Sequence, residues 1–351
     1  MEQTSASAVY GEHRPLKPYA KEQKQLMLTA SVFGIALLAY IAGNGLISMF
    51  LTSDAEIYNR YMNDELFALA MNMLNTAFCV FVPFAFVYFL LRRFKRIDEL
   101  PLGGAKDSYN AVLLVFVGLG FCYIANLLTS YLTMFASAFG IESYVANYTP
   151  PETPTGAFSV GMQILGYAVL PALFEEFAYR GVIMQSLRRY GDWFAILMSS
   201  LLFGLMHGNL VQVPFAFMVG ILLGYCTVAS GTMWVGIAIH FGNNLISALQ
   251  SVIGQAYGEA AGYAFVSGAM VALMLFGVVC AVLYACRNRR FFRLNPGKYR
   301  FMPHKGALVL CAPSVLVACV YFCYITLMDI VGFYDWFMQG VMNLTKTVFM
   351  G

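Results

Sequence analysis

The sequence predicts an all-α, polytopic transmembrane helical bundle of about nine spans, and three observations carry that expectation. Of 351 residues, 60% are hydrophobic and 11% are charged, against roughly 25% charged in soluble domains, so there is too little polar surface to clothe a water-soluble fold. Nine apolar runs approach the roughly 20 residues that a helix needs to cross about 30 Å of hydrocarbon. Lys and Arg gather in alternate connections between these runs. A net charge of +3 gives no reason to expect a nucleic-acid partner; the surroundings are a lipid bilayer. Nothing in the sequence sets an oligomeric state.

The runs cover 27–51, 67–91, 111–137, 160–187, 193–207, 211–229, 233–252, 264–285 and 308–330. Four parts follow: a cytoplasmic segment 1–26, N-terminal spans over 27–137, a tightly connected core over 160–252, and C-terminal spans with an interfacial tail over 264–351. The first run lacks the short apolar core of a signal peptide and is expected to be retained. The tail Tyr334–Met350 mixes aromatics and Met with Gln, Asn and Lys, as an interfacial helix does. All Lys and Arg except Arg60, Arg180 and Lys346 fall before span one, after span two, after span four or after span eight. Positive loops stay in the cytoplasm, which places the N-terminus inside and the C-terminus outside. The eight cysteines form no CxxC pair and read as apolar packing residues. Gly220 and Gly224 read as helix-packing positions.

Charge at bilayer depth is costly, so each instance there is a functional hypothesis. Span four holds Glu175, Glu176 and Arg180, span five ends at His207, and span seven holds His240 and Asn244. Asp329, at the outer edge of span nine, is expected to face water. Glu176 and Arg180 are four apart and can pair. Glu175 is turned by about 100° and left free. His240 and Asn244 share a face, while Asn243 is turned away. Helix rise puts Glu175, His207 and Asn244 at similar depth, with His240 one turn nearer the cytoplasm. A carboxylate with two imidazoles suits hydrolysis by a Glu general base, a proton or ion relay, or a structural network that fixes helix packing. The HExxH zinc-protease pattern is absent.

The stretch Glu175-Glu176-Phe-Ala-Tyr-Arg180 resembles the EExxxR motif of the CPBP family, the intramembrane CAAX-protease and bacteriocin-processing (Abi) proteins. Phe203 to His207 resembles that family's FxxxH motif, and His240 to Asn244 its HxxxN motif. Leu223 to Trp234 is similar to its LGxxxxxTGSLW segment, with Ala-Ser-Gly-Thr-Met-Trp as a mild departure. The resemblance covers about residues 160–250 and implies a glutamic or metallo-endopeptidase that cuts a membrane-associated peptide or protein, prenylated CAAX-like substrates being conceivable. It implies that Glu175 activates water with help from His207, and that His240 and Asn244 form an oxyanion hole. Glu176 and Arg180 would brace span four, and Phe203 would line the site or pack. No cofactor is required on this reading, although Glu175, His207 and His240 could supply three zinc ligands with an open fourth position. The site is expected to open towards the cytoplasm. A non-catalytic scaffold or bacteriocin self-immunity protein that retains the motif is the alternative, and a transporter the third.

Overall fold

The structure, a computed structural model, describes residues 19–143 and 156–330. The expected tail helix at Tyr334–Met350 lies outside the described residues, as do residues 1–18. Eleven helices follow in order: α1 Ala20–Leu51, α2 Ala55–Asn63, α3 Glu65–Arg93, α4 Ser108–Ser137, α5 Ala157–Tyr190, α6 Asp192–Met206, α7 Gln212–Ser230, α8 Met233–Tyr257, α9 Glu259–Arg287, α10 Lys305–Leu310 and α11 Pro313–Met328. Among the described residues there is no strand, only an isolated bridge between Ser143 and Ile330. The polytopic helical bundle is what composition and run length predict.

Six helices (α1, α3, α4, α5, α7 and α9) are by themselves long and apolar enough to cross a membrane. The other three apolar runs are helical too. α6 has 15 residues and α11 has 16, whereas α8 has 25 but carries a polar stripe that lowers its hydropathy. Two boundaries differ from expectation. α1 starts at Ala20 rather than 27, because the helix continues beyond the apolar stretch through Lys21–Gln25 and already buries Leu26. The last run is broken between Leu310 and Pro313, since a proline ring clashes with the preceding turn and has no N–H to continue the ladder; Pro313 instead opens α11.

The basic connections converge on one end of the bundle, as their charge pattern anticipates. Arg96 Nη1 donates to Gln25 Oε1 near the start of α1. The backbone N–H of Lys106 donates to the Ser230 carbonyl, and Thr232 Oγ1 to that of Gly103 (2.7 Å). The turn after α5 is held by Asp192, whose Oδ1 accepts from Arg188 (2.8 Å) and whose Oδ2 accepts from the Asn295 N–H (3.1 Å). Lys305 Nζ donates to the Tyr190 carbonyl at 2.7 Å. At the other end, Asp329 departs from expectation. It is 7% exposed and its Oδ2 accepts from Ser143 Oγ (2.6 Å) and the Leu210 N–H (2.9 Å). A carboxylate there satisfies a backbone donor freed where α6 ends, so it ties loops together rather than facing water.

Packing divides the bundle into two apolar cores. One joins α1, α3, α5, α6 and α11 through residues such as Phe33, Phe84, Ile183, Leu202 and Phe322. The other joins α4, α7, α8 and α9 through Leu114, Leu223, Ile239 and Cys280. α7 serves both, with Ala216 and Val228 in the first and Val219 and Cys226 in the second. Lipid supplies no apolar driving force between helices, so close backbone approach has to hold them together. Gly120 and Gly277 provide it for α4 and α9: a Cβ on Gly277 would lie 2.8 Å from the Phe116 carbonyl and 3.0 Å from Gly120 Cα. Gly220 is likewise a packing position, its Cβ meeting Ser200 at 3.0 Å. Of the cysteines, Cys79, Cys122, Cys226 and Cys280 are buried as expected. Cys286 and Cys323 are exposed on helix faces, and Cys311 is exposed in the turn between α10 and α11.

Candidate active site

The site lies where α5, α6 and α8 approach one another, with α7 behind. α5 is not a uniform α-helix: Leu165–Val169 and Phe177–Met184 are π-helical, a wider winding common near functional sites. Glu175 and Glu176 precede the second π segment and Arg180 falls inside it. Adjacent carboxylates on a helix diverge, and here they do so completely. Glu175 lines a cavity of about 720 Å³, while Glu176 is 0% exposed beneath it.

Glu176 and Arg180 form the buried pair that their spacing predicts, with Arg180 Nη1 donating to Glu176 Oε1 at 2.8 Å. Arg180 Nη2 donates to the Gly220 carbonyl at 3.2 Å, tying α5 to α7. The guanidinium stacks 4.4 Å from the ring centre of Phe203. Phe203 both packs and lines the cavity, 3% exposed and edge-on to His207 and His240. Glu176 has a second role that sequence spacing does not reveal: its Oε1 lies 3.0 Å from His240 Nδ1. Gly236 leaves room for this carboxylate, since a Cβ there would stand 3.1 Å from Glu176 Oε2 and 2.9 Å from Thr227 Oγ1. Gly236→Ala should therefore lower the thermal stability of the purified protein by about 1–3 kcal/mol, measured as a shifted unfolding midpoint. An unchanged midpoint would mean that the Glu176 neighbourhood yields freely.

The imidazoles are oriented by different partners. His207 Nδ1 contacts the Phe203 carbonyl at 2.8 Å. A carbonyl only accepts, so Nδ1 carries the proton, and in the neutral ring Nε2 is an acceptor. His240 has Nδ1 on Glu176 and Nε2 3.8 Å from Glu175 Oε2. Because a carboxylate accepts at Nδ1, Nε2 of His240 donates only as imidazolium. Asn244 Nδ2 donates to the Tyr167 carbonyl in the first π segment at 3.1 Å, which leaves its second N–H available.

Glu175, His207, His240 and Asn244 line this one cavity together with Phe203. Asn243 lines it too, contrary to expectation, and donates to Asn244 Oδ1 at 3.2 Å. The cavity spans a wider arc of α8 than one residue row. A polar stripe at 240, 243, 244, 247, 251 and 255 on α8 is the signal that finds these positions, for it repeats at helical spacing. The direction of opening also differs from expectation. Lining residues run from Leu223 and His240 to Gln212, Gln255, Tyr61 and Met62. These positions lie towards the end of the bundle away from the basic connections. Among the described residues, Glu175, His207 and His240 do not form a cluster of three donors able to hold a metal ion. His240 and His207 each commit Nδ1 to a protein acceptor, Glu176 and the Phe203 carbonyl, and leave Nε2 for other partners.

Residues 157–246 match the model of the Rce1-like family, described as type II CAAX prenyl endopeptidase Rce1-like. The match spans the three motifs and bears out their resemblance to CAAX proteases over this core. At the level of the family, such proteins are membrane proteases. No curated protein and no solved structure matches the chain.

Proposed function

We propose that this multi-pass membrane protein is an intramembrane endopeptidase that hydrolyses a peptide bond in a membrane-associated peptide or protein. The observation that carries the reading is the convergence of Glu175, His207, His240 and Asn244, from three helices, on one cavity inside the bundle. Glu175 takes a proton from water as the hydroxide attacks the scissile carbonyl carbon, and His207 Nε2 helps to orient that water. The carbonyl oxygen becomes an oxyanion, which accepts from the Nε2–H of His240 as imidazolium and from the free N–H of Asn244. The carbon–nitrogen bond then breaks, and the proton held by Glu175 passes to the leaving amine. Glu176 and Arg180 position His240 and α5. The scheme requires no metal. Purified protein should hold less than one zinc per chain and keep its activity after exhaustive chelation; one tight metal whose removal and return switch activity off and on would overturn it.

The test of the reaction is a comparison of membrane peptidomes from cells with the native chain and with Glu175→Gln. Fragments present only with the native chain are expected. Identical peptidomes, with every other function of the protein retained by the variant, would favour the alternative of a non-catalytic scaffold or immunity protein. Asn244→Ala should lower turnover by about 10²–10³, as expected when an oxyanion donor is lost, with little change in protein abundance.

The orientation proposed from the Lys and Arg distribution puts the basic end in the cytoplasm. Single cysteines in a cysteine-free background test it: an impermeant thiol reagent added to intact cells should label Gln255→Cys and spare Asn295→Cys. Labelling of Asn295→Cys from outside would reverse the assignment.

A further inference from the structure

The cavity has one acidic group besides Glu175. Glu65, at the start of α3, lines it near the mouth and is 7% exposed. Its Oε2 accepts from Ser159 Oγ at 3.1 Å, but Oε1 is buried with no hydrogen-bond partner. Helix capping does not explain this carboxylate. The N-cap of α3 is Asp64, whose side chain already accepts from the Phe67 N–H. Nor does an ion pair: among the described residues no salt bridge involves Glu65, whereas Glu176, the other buried Glu, has Arg180. The described lining contains no Lys and no Arg; its other polar groups at that end include Tyr61 and Gln163, the latter with an unpartnered buried donor, Nε2.

A buried acceptor of this kind is costly unless a partner arrives, and a cavity end that carries a carboxylate and, among the described lining residues, no Lys or Arg attracts positive and repels negative charge. We infer that Glu65 is a specificity-determining residue that receives a cationic group of the substrate, a Lys or Arg side chain or a free amine, and that the cavity does not recognise a C-terminal carboxylate. The inference rests on the peptidase reading only in taking the occupant to be a peptide. Ser159 stands about four and a half turns along α5 from Glu175, roughly 24 Å at 1.5 Å per residue. An extended chain covers that span in about seven residues. The favoured substrate therefore carries its positive charge about seven residues from the scissile bond, towards the mouth. This distinguishes it from a protein cut just before its C-terminal tripeptide, whose terminal carboxylate would find no Lys or Arg among the described lining residues.

Binding tests this without requiring cleavage. Fluorescent single-span peptides of one apolar sequence, bearing a Lys, a Glu or a norleucine at successive positions, are titrated against the full-length Glu175→Gln protein in lipid nanodiscs. That variant removes the other lining carboxylate. The best-placed Lys peptide should bind roughly 10–100-fold tighter than its Glu counterpart, the range of a charge-assisted hydrogen bond. Adding Glu65→Gln should erase the difference and Glu65→Lys should reverse it. In the native chain, carbodiimide coupling of the Lys peptide should map to Glu65, a readout that needs no folded Glu65 variant. Equal binding of the peptides, a Lys preference that survives Glu65→Gln, coupling only elsewhere, or tighter binding of a free C-terminal carboxylate than of its amide would each overturn the assignment. A preserved Lys preference in a protein that cleaves nothing would sink the peptidase reading and leave this one standing.

Discussion

Glu175→Gln should lower peptide-bond cleavage by about 10²–10⁴, the usual contribution of a positioned general base, while the protein accumulates and unfolds like the native chain. The separation of effects follows from geometry. Glu175 lines the cavity and has no ion-pair partner closer than His240 Nε2 at 3.8 Å, so the amide is nearly isosteric and strands no buried charge. It cannot accept a proton from water. Cleavage of the accumulating substrate, followed by mass spectrometry in purified membranes, reads one half of the expectation; thermal unfolding in detergent reads the other. If turnover persisted at the native rate, water activation would have to move to His207, whose Nε2 is also free to accept, and the Glu175 role would be withdrawn.

Glu176→Gln and Arg180→Ala should act in the opposite sense, on stability before chemistry. Both side chains are 0% exposed and joined at 2.8 Å. Removing one member of a buried pair leaves the other charged and unpaired, at a cost of about 3–5 kcal/mol, which is a large part of the roughly 5–15 kcal/mol that holds a typical domain folded. Arg180→Ala also removes the hydrogen bond to the Gly220 carbonyl and the stack on Phe203. Membrane abundance should fall sharply for both variants. The double substitution Glu176→Gln, Arg180→Met removes both charges and should recover much of the abundance, but not the activity, because His240 Nδ1 loses its carboxylate. A single Arg180→Ala protein as abundant and stable as the native chain would show that the pair is not structural.

Much of this molecule is legible along the chain. Hydropathy marks the helices because a bilayer demands runs of fixed length whatever the neighbouring helices are. The charge pattern marks which connections share an end, and the structure gathers Gln25, Arg96, Asp192, Ser230 and Lys305 at that end. Within α5, a spacing of four pairs Glu176 with Arg180, and a rotation of one residue frees Glu175. Each of these properties depends on a single helix or on its immediate flanks.

What only the tertiary structure decides lies between helices. Glu176 reaches His240 across 64 positions, and no local spacing encodes that meeting. Asn243 enters the cavity because its lining takes in more than one row of α8. Asp329 is buried by two loops that come together only when α6 and α11 pack. The cavity extends away from the basic end because its lining draws on Tyr61 and Met62 of α2, the start of α3, the start of α7 and the end of α8. Glu65 becomes part of the site only because α3 lies against α5 at Ser159. Helix formation and membrane insertion follow from residue spacing and transfer to lipid, both of which act over a few turns. The relative placement of helices is set by shape matching at positions such as Gly120, Gly236 and Gly277, and that information is distributed over residues far apart in the chain.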